Sequence, residues 1–357
     1  MNHSETHAAP DAPAFAAMID LASARLGGVA LAANDEFFAE KENLLNPGRG
    51  IFIPEKFTER GKWMDGWETR RRREPGHDWC IIQLGMRGRI SGFDVDTNHF
   101  LGNFPESCSI DVLDAPPGTT IDELASADAV WQEAVAVTPL QGGSQHFLAS
   151  AMTEPVTHVR LNIFPDGGVA RLRVYGTVES ILPADTLLDL AAIENGGTVR
   201  GCSCMFFGPK DNLIMPGEPA NMGEGWETKR RRGPGNDWIV VQLGAPAQLE
   251  SLQIDTTHFK GNAPDTIAVE WCALSPAAAA AQDFPENSDG DCGVEWKPLV
   301  SQSKVQPHAS HSFTDLEPHA AATHLRLRIF PDGGIARLRA FGRVADAQPS
   351  GESSSAP

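Results

Sequence analysis

The polar and apolar positions of the chain form short alternating runs separated by turn residues. Residues 79–84, 90–95 and 109–113 are rich in β-branched and aromatic side chains, and Gly, Pro and Asp lie between them. Such runs predict strands joined by tight turns. Residues 15–26 instead place apolar side chains at helical spacing, followed by two glycines, which predicts a short helix. The pattern therefore indicates an all-β protein with short peripheral helices.

The pattern occurs twice. Gly-Trp-Glu-Thr-Arg-Arg-Arg-Arg at residues 66–73 returns as Gly-Trp-Glu-Thr-Lys-Arg-Arg-Arg at residues 225–232. Asp-Thr-Asn-His-Phe at residues 96–100 returns as Asp-Thr-Thr-His-Phe at residues 255–259. The offset is the same in both cases, since 225 − 66 and 255 − 96 are both 159. A register held over this distance indicates an internal duplication.

The duplication sets the expected domain boundaries. A chain of 357 residues suits two domains, and short strands with turn signals predict a jelly-roll β-sandwich in each half. We expect repeat one at residues 28–177 and repeat two at residues 195–343, joined by a linker at residues 178–194. An N-terminal arm with a short helix (residues 1–27) and a disordered tail (residues 344–357) complete the arrangement.

Charge and composition exclude several partner classes. The formal net charge of −18 disfavours nucleic acid and anionic membranes, because both bind a positive protein face. No apolar run approaches the roughly 18 residues of a membrane span, and we expect no secretory signal at the start. Most of the six cysteines do not recur between the halves, which favours reduced thiols in a cytoplasmic protein.

Each repeat ends with Phe-Pro-Asp-Gly-Gly between two alternating runs, which predicts a hairpin. If the two runs pair, Arg160 lies opposite Arg173, and Arg326 lies opposite Arg339. Like charges directly opposite are destabilising, so a negative group should lie on this face. A small anionic ligand would suit it, because arginine binds carboxylates through two parallel hydrogen bonds. The alternative is a structural acid, such as Glu68 or Asp96.

Acidic and imidazole side chains recur at matching places in the two repeats. Asp96 and His99, three residues apart, could form an acid–base pair, donate two ligands to a metal, or simply be hydrogen-bonded. Glu68 follows a tryptophan, and a carboxyl group against apolar surface can have a raised pKa. The candidate catalytic residues are Glu68, Asp96, His99, Glu227, Asp255 and His258.

The basic run at residues 70–73 places Arg71 and Arg73 on one strand face. Because the chain is strongly acidic, we expect structural and substrate-binding roles for this run rather than nucleic-acid contact. The candidate anion-binding residues are Arg71, Arg73, Arg160, Arg173, Arg230, Arg232, Arg326 and Arg339. The sequence has no phosphate-binding glycine loop, nucleophile elbow or dinucleotide fingerprint. Phosphoryl transfer, serine hydrolysis and nicotinamide chemistry are therefore disfavoured.

The repeated motifs resemble those of the allantoicase family. The likeness rests on Gly-Trp-Glu-Thr-(Arg/Lys)-Arg-Arg-Arg, Asp-Thr-x-His-Phe-x-Gly-Asn and Phe-Pro-Asp-Gly-Gly-(Val/Ile)-Ala-Arg-Leu, and it covers residues 20–343. It implies two galactose-binding-domain-like jelly rolls and a homo-oligomeric hydrolase of carbon–nitrogen bonds in linear amidines. Such an enzyme converts allantoate to ureidoglycolate and urea in purine (allantoin) degradation.

Two questions stay open at this stage. We expect no cofactor, although a divalent metal held by the Asp–His pairs is an alternative. A non-catalytic tandem protein that binds carbohydrate or small anions is the alternative to the enzyme. The expected partner is allantoate, with neither nucleic acid nor membrane.

Overall fold

The computed structural model describes residues 12–183, 185–286 and 288–345. The chain divides into two compact units, Met1–Glu179 and Ser180–Pro357. Strands dominate both units, and the helices are short. The predicted all-β fold with two tandem jelly-roll sandwiches is confirmed.

Unit one is built from short strands around one long strand, β6. The strands are β1 (Ile19–Asp20), β2 (Val29–Ala33), β3 (Phe57–Thr58), β4 (Gly61–Lys62), β5 (Trp67–Glu68), β6 (Asp78–Asp96), β7 (Ser107–Leu113), β8 (Gln132–Pro139), β9 (Gln145–Ala149), β10 (Val156–Phe164), β11 (Gly168–Val169) and β12 (Arg171–Val178). The helix α1 spans Ile121–Ala125, and 3-10 turns form at Ala14–Ala17, Ala24–Leu26 and Lys41–Leu45.

The strand β6 belongs to both layers of the sandwich. Its first half pairs with β2 and β10, and β10 leads on to β7 and β8. Its second half pairs with β9 and β12, and β12 pairs with β1. Ile82 from the first half and Phe93 from the second lie in one buried cluster. The two halves therefore face each other across the core.

A glycine lies where β6 passes from one layer to the other. A Cβ atom on Gly85 would lie 2.4 Å from the carbonyl oxygen of Leu26, and one on its counterpart Gly244 would lie 1.7 Å from the carbonyl oxygen of Asn195. No side chain fits either distance. The recurring Gln-Leu-Gly motif is explained by this close backbone approach.

Unit two repeats the same plan. Its strands are β13 (Leu188–Asp189), β14 (Thr198–Cys202), β15 (Trp226–Glu227), β16 (Asp237–Asp255), β17 (Thr266–Cys272), β18 (Lys297–Lys304), β19 (Ser310–Phe313), β20 (Ala322–Phe330), β21 (Gly334–Ile335) and β22 (Arg337–Val344). The helix α2 spans Pro276–Ala281, and 3-10 turns form at Ile193–Asn195, Lys210–Ile214 and Met222–Glu224. The long strand β16 takes the place of β6, and its pairings match those of β6.

The predicted hairpin at the end of each repeat is wrong. The strand β10 pairs with β6 and β7, whereas β12 pairs with the other half of β6. Arg160 consequently lies opposite Ile81 and Asp111, and Arg173 lies opposite Asp94. The Pro-Asp-Gly-Gly segment thus carries the chain from one layer to the other. The two predicted strands at residues 79–84 and 90–95 are likewise the single strand β6.

The predicted helix at residues 15–26 is also wrong, because the strand β1 interrupts it. The Asp20 carboxylate accepts hydrogen bonds from the backbone N–H groups of Ala22 (3.2 Å) and Val174 (2.9 Å). These bonds hold the segment extended beside β12, and only 3-10 turns form on either side. The sheets accordingly start at Ile19 and Leu188, inside the segments predicted as arm and linker. Residues 1–11 of the arm and 346–357 of the tail lie outside the described residues.

Repeat one contains an insertion relative to repeat two. Counterparts lie 169 positions apart before it (Gly48 and Gly217) and 159 positions apart after it (Gly66 and Gly225). The hairpin of β3 and β4 lies within the added residues. Among the described residues, no helix is long and apolar enough to cross a membrane.

Candidate active site

The recurring motifs converge at one end of each unit. In unit two, Trp226 is fully buried, and its indole Nε1 donates to the carbonyl oxygen of Cys204 at 2.8 Å. The strand β15 also pairs with β21, which places Glu227 opposite Gly334. The tryptophan anchor and the strand pairing fix the backbone on both sides of Glu227.

Glu227 lines a cavity of about 890 Å³. Its Oε1 accepts a hydrogen bond from Nδ2 of Asn262 at 2.5 Å. Burial raises the pKa of Glu227, and the Asn262 bond opposes that shift only in part. A carboxyl group whose pKa is raised by burial keeps its proton to a higher pH than a solvated one, which favours a general acid.

Cationic and amide groups line the same cavity. Arg230 is exposed and has no hydrogen bond or ion pair within the described part of the chain. Lys304 approaches Asp265 to 2.9 Å at an exposed position, where such a pair contributes little. Gln306 adds an amide. The cavity therefore offers Arg230 and Lys304 to an anion, beside the carboxyl group of Glu227.

The neighbouring Arg231 has a different role. Its backbone N–H donates to Oδ2 of Asp332 at 2.8 Å, and its guanidinium group donates to Oδ1 of Asp237 at 2.5 Å. These bonds tie the basic run to the Pro-Asp-Gly-Gly segment and to the start of β16. Arg231 therefore positions the backbone that presents Glu227 and Arg230.

Repeat one keeps this framework. Oε1 of Glu68 accepts from Nδ2 of Asn103 at 2.7 Å, and burial raises the pKa of Glu68. Arg72 donates to Asp166 and Asp78, as Arg231 does to their counterparts. The surroundings differ, however. The counterparts of Ala263, Lys304 and Pro307 are Phe104, Pro139 and Gly142.

Phe104 contributes to the core of repeat one. It packs against a small buried cluster that contains Phe100, Met64 and Ala170. A phenylalanine thus stands at the position where repeat two has an alanine, and a proline stands where repeat two has Lys304. The cavity at Glu227 thus has a lysine on its wall that repeat one lacks at the equivalent position.

The predicted Asp–His pairs do not join Glu68 or Glu227. Nε2 of His99 lies 3.0 Å from the carbonyl oxygen of Gly50, and Nε2 of His258 lies 2.9 Å from that of Pro219. Both histidines have a positive φ, 71° and 72°. Each histidine therefore holds a loop in its own unit. His99 holds the loop after the 3-10 turn at Lys41–Leu45, and His258 holds the loop after the turn at Lys210–Ile214.

Asp96 and Asp255 occupy a separate place on each unit. Oδ2 of Asp96 accepts from Nη1 of Arg49 at 3.1 Å. Asp255 instead lines another cavity, of about 320 Å³, together with Arg339. Within the described residues no group of three or more His, Cys, Asp or Glu side chains could hold a metal. The prediction of no cofactor stays a prediction.

The arginines of the closing strands are engaged within the protein. Nη2 of Arg160 lies 2.8 Å from Oδ2 of Asp111, and Nη2 of Arg326 lies 2.6 Å from Oε2 of Glu270. The negative partners expected on this face are thus Asp111 and Glu270. They differ from the structural acids considered from sequence, because β10 and β20 pair with β7 and β17.

The remaining predicted anion-binding residues divide into two groups. Nη2 of Arg173 donates to the carbonyl oxygens of Asn46 and Gly48 at 2.6 and 2.5 Å, and Arg339 makes the matching bonds in repeat two. The other group is exposed and, in the part of the chain that the structure describes, forms no hydrogen bond or ion pair. It comprises Arg71, Arg73, Arg230 and Arg232.

The structure therefore brings together Glu227 and Arg230 from the predicted site. Sequence reasoning missed Asn262, Lys304 and Gln306 as members of this cavity. Asn262 was visible as part of the repeated Gly-Asn motif. Lys304 had no comparable signal, because its counterpart is Pro139.

Comparison with known proteins identifies the family of this chain. A family model described as "Allantoicase repeat" matches residues 19–179 and 188–345. The chain is 44% identical over 340 residues to "Probable allantoicase 1" of Burkholderia mallei, covering 94% of this chain and 97% of that relative. It is also 44% identical over 340 residues to "Probable allantoicase" of Ralstonia nicotianae, covering 94% and 98%.

The solved structure of an allantoicase from Saccharomyces cerevisiae is also similar. It has a TM-score of 0.76 and 34% sequence identity, and the match covers 91% of this chain and 92% of the yeast chain. Both repeats and nearly the whole length of each relative are therefore matched. The chain belongs to the allantoicase family.

Proposed function

We propose that this protein hydrolyses allantoate to ureidoglycolate and urea, and that the reaction takes place in the cavity at Glu227. One observation carries the choice of site. Lys304 and Arg230 line the cavity at Glu227, whereas repeat one has Pro139 at the position of Lys304. Family membership favours the enzyme over the non-catalytic binding module.

The groups around the cavity suit this substrate. Allantoate has one carboxylate and two ureido groups on a single carbon. Arg230 and Lys304 provide positive charge for the carboxylate, and a guanidinium group can bind it through two parallel hydrogen bonds. The amide of Gln306 can donate to and accept from a ureido group, and Oδ1 of Asn262 can accept from one. Substrate recognition thus needs no group beyond those lining the cavity.

Glu227 can serve both halves of the hydrolysis. Its protonated carboxyl group donates to the departing ureido nitrogen as the bond from that nitrogen to the central carbon breaks. The resulting carboxylate then accepts a proton from water as the water oxygen bonds to the same carbon. One water is consumed, one urea leaves, and Glu227 returns to its starting state. General acid–base catalysis of this kind contributes about 10²- to 10⁴-fold in rate.

The raised pKa of Glu227 sets the direction of the pH dependence. The first proton transfer requires the protonated form, so its rate falls as pH rises through the pKa of Glu227. Burial moves that pKa upward, and the active pH range extends upward with it. If the first transfer limits the rate, Asn262→Ala removes an opposing hydrogen bond and should move the alkaline limb of the profile to higher pH.

Location and assembly are part of the proposal. All six cysteines are free thiols in the structure, which favours a reducing compartment such as the cytoplasm. The family resemblance favours a homo-oligomer. The net charge of −18 favours a small-molecule partner over nucleic acid.

The test is urea release from allantoate by the purified protein and two matched variants. We expect Glu227→Gln to lower kcat by about 10²- to 10⁴-fold, while Glu68→Gln stays within a few-fold of the parent. The opposite ranking would move the reaction to repeat one. Equal losses would contradict a single site at Glu227.

Two controls complete this test. Release that persists in chelator would support a reaction without a removable metal, and release restored only by a divalent cation would overturn that part of the proposal. Folded parent protein that binds simple sugars and releases no urea would contradict the enzyme assignment. Circular dichroism of each variant establishes that the fold is retained.

A further inference from the structure

Unit two has another cavity, separate from the one at Glu227. Its volume is about 320 Å³, and none of its lining residues belongs to the Glu227 cavity. Its wall includes Asp255 and Gln253 from the end of β16, and Glu218 from the loop after the 3-10 turn at Lys210–Ile214. The equivalent position in repeat one indicates which chemical group fits against this wall.

Repeat one fills the equivalent place with its own guanidinium group. Nη1 of Arg49 lies 2.7 Å from Oδ2 of Asp94 and 3.1 Å from Oδ2 of Asp96. Both carboxylates are fully buried, and a buried carboxylate requires a positive partner or several hydrogen bonds. Arg49 therefore supplies the compensating charge from within the chain.

Repeat two reverses the charge at that position. Glu218 is the counterpart of Arg49, since each follows a Pro-Gly pair after the matching 3-10 turn. Asp255 keeps the carboxylate of Asp96, whereas Gln253 replaces Asp94. The acid is thus retained while the internal guanidinium group is absent.

A buried acceptor atom on this wall has no partner. Asp255 is 3% exposed, and its Oδ1 accepts from the backbone N–H of Thr257 at 2.7 Å. Oε2 of Glu194, on the same cavity wall, is buried without a hydrogen-bond partner within the described residues. A bound donor would satisfy this atom.

The charge of the wall favours a cation. Four carboxylates and two guanidinium groups line the cavity, which leaves two carboxylates in excess. Arg339 donates to the carbonyl oxygens of Met215 and Gly217 at 2.8 and 3.0 Å, and Arg337 donates to that of Glu224 at 2.8 Å. Both arginines thus also hold the surrounding loop.

We propose that this cavity binds a small guanidinium or amidinium cation, in the place that Arg49 takes in repeat one. The planar N–H groups of the ligand donate to Asp255 and to the acidic wall at Glu218 and Glu194, and the ring of Phe341 lies on the same wall for a cation–π contact. The proposal does not depend on the reaction at Glu227.

The test is calorimetric titration of the full chain with methylguanidinium chloride at constant ionic strength. We expect saturable binding of one cation per chain. Tetramethylammonium, which has no N–H donor, should bind at least tenfold more weakly, and so should urea, which is planar but neutral. Equal binding of urea would overturn the charge argument, and equal binding of tetramethylammonium would overturn the hydrogen-bond argument.

Two variants locate the site. Glu218→Arg supplies an internal guanidinium group as in repeat one, so binding should weaken at least tenfold while Tm stays the same or rises. Arg49→Ala opens the counterpart site in repeat one. It should lower Tm, raise the stoichiometry to two, and regain thermal stability when methylguanidinium is added.

Two outcomes of the binding measurements would contradict the proposal. Unchanged binding by Glu218→Arg would show that the ligand lies elsewhere, and the conservative Glu218→Gln should fall between that variant and the parent. If Arg49→Ala does not fold, the Glu218→Arg result alone decides. No saturable binding to the parent chain would rule the site out. Urea release from allantoate is a separate readout, so failure of this site leaves the assignment at Glu227 untouched.

Discussion

Repeats one and two share a backbone but use matching positions differently. Repeat one has Phe104 where repeat two has Ala263, and it has Arg49 where repeat two has Glu218. In repeat one both side chains pack or pair within the unit. In repeat two the corresponding residues line cavities. A duplicated fold can therefore keep its framework in both copies while one copy offers space to ligands.

The residues common to both repeats are mostly those that hold the framework. Trp67 and Trp226 donate to equivalent carbonyl groups at 2.8 Å, and Arg72 and Arg231 make equivalent bonds. Recurrence alone therefore identifies structure more readily than chemistry. Glu227 is distinguished from Glu68 by its neighbours, above all by Lys304.

The largest difference expected between the repeats concerns their cross-strand arginines. The Arg326 side chain is 4% exposed and pairs with Glu270 and Asp291, whereas that of Arg160 is 27% exposed and pairs with Asp111. Breaking a buried ion pair costs about 3–5 kcal/mol, so Arg326→Ala should lose about that much free energy of unfolding. The Arg160 side chain is better solvated, so Arg160→Ala should lower the free energy of unfolding by only about 1–2 kcal/mol.

Denaturant unfolding of both variants measures these losses, and hydrogen exchange assigns each loss to its unit. The KM for allantoate should stay at the parent value in both. An increased KM for Arg160→Ala with unchanged stability would restore the substrate-binding role predicted from sequence. Equal stability losses would show that burial does not distinguish the two pairs.

The next difference concerns a histidine beneath each sheet. Burial lowers the pKa of His324 from 6.5 to about 4, and it lowers the pKa of the counterpart His158. His324 is 1% exposed, and its Nε2 has no hydrogen-bond partner within the described residues. Because the folded-state pKa is depressed, full stability is present above pH 6.5 and is lost as pH falls toward 4.

The difference between these two pKa values corresponds to a loss of unfolding free energy on the order of 3 kcal/mol for His324. We expect His324→Gln to flatten the decline in unfolding free energy between pH 7 and pH 4 more than His158→Gln does. Chemical denaturation at several pH values gives this decline. A larger effect of His158→Gln would reverse the ranking of the two sites.

The smallest difference separates the two exposed arginines of the basic runs. Arg230→Ala should raise the KM for allantoate by about 10- to 100-fold, since a hydrogen bond to a charged group contributes about 1.5–3 kcal/mol. Arg71→Ala should change it less than about threefold. Steady-state urea release measures both, and Arg230→Lys should recover part of the loss. Comparable effects of the two alanine variants would indicate that both repeats bind substrate.

Local features of the fold could be predicted from the sequence, whereas strand partners could not. Alternating runs and turn residues act over a few positions, so the strands and the duplication were visible. The hairpin prediction failed because pairing is non-local. Arg160 finds Asp111 on a strand 49 residues away, and nothing near Arg160 in the sequence signals this.

The residues of the candidate site divide in the same way into those that could be predicted from sequence and those that could not. Glu227 and Arg230 were predicted because they lie in a repeated motif. Lys304 and Glu218 were not, because each differs from its counterpart, Pro139 or Arg49. The position of such residues in a cavity depends on chain segments that meet only after folding.

The strands β6 and β16 also have a consequence for how the chain folds. Each is a continuous strand of 19 residues that belongs to both layers of its sandwich. Neither layer can therefore be completed while the other is missing, and closing each requires partners far along the chain, as when Asp96 meets Arg171. Contacts of such high sequence separation slow folding. We expect each unit to fold slowly and in one cooperative step, with amides in its two layers exchanging at a common rate.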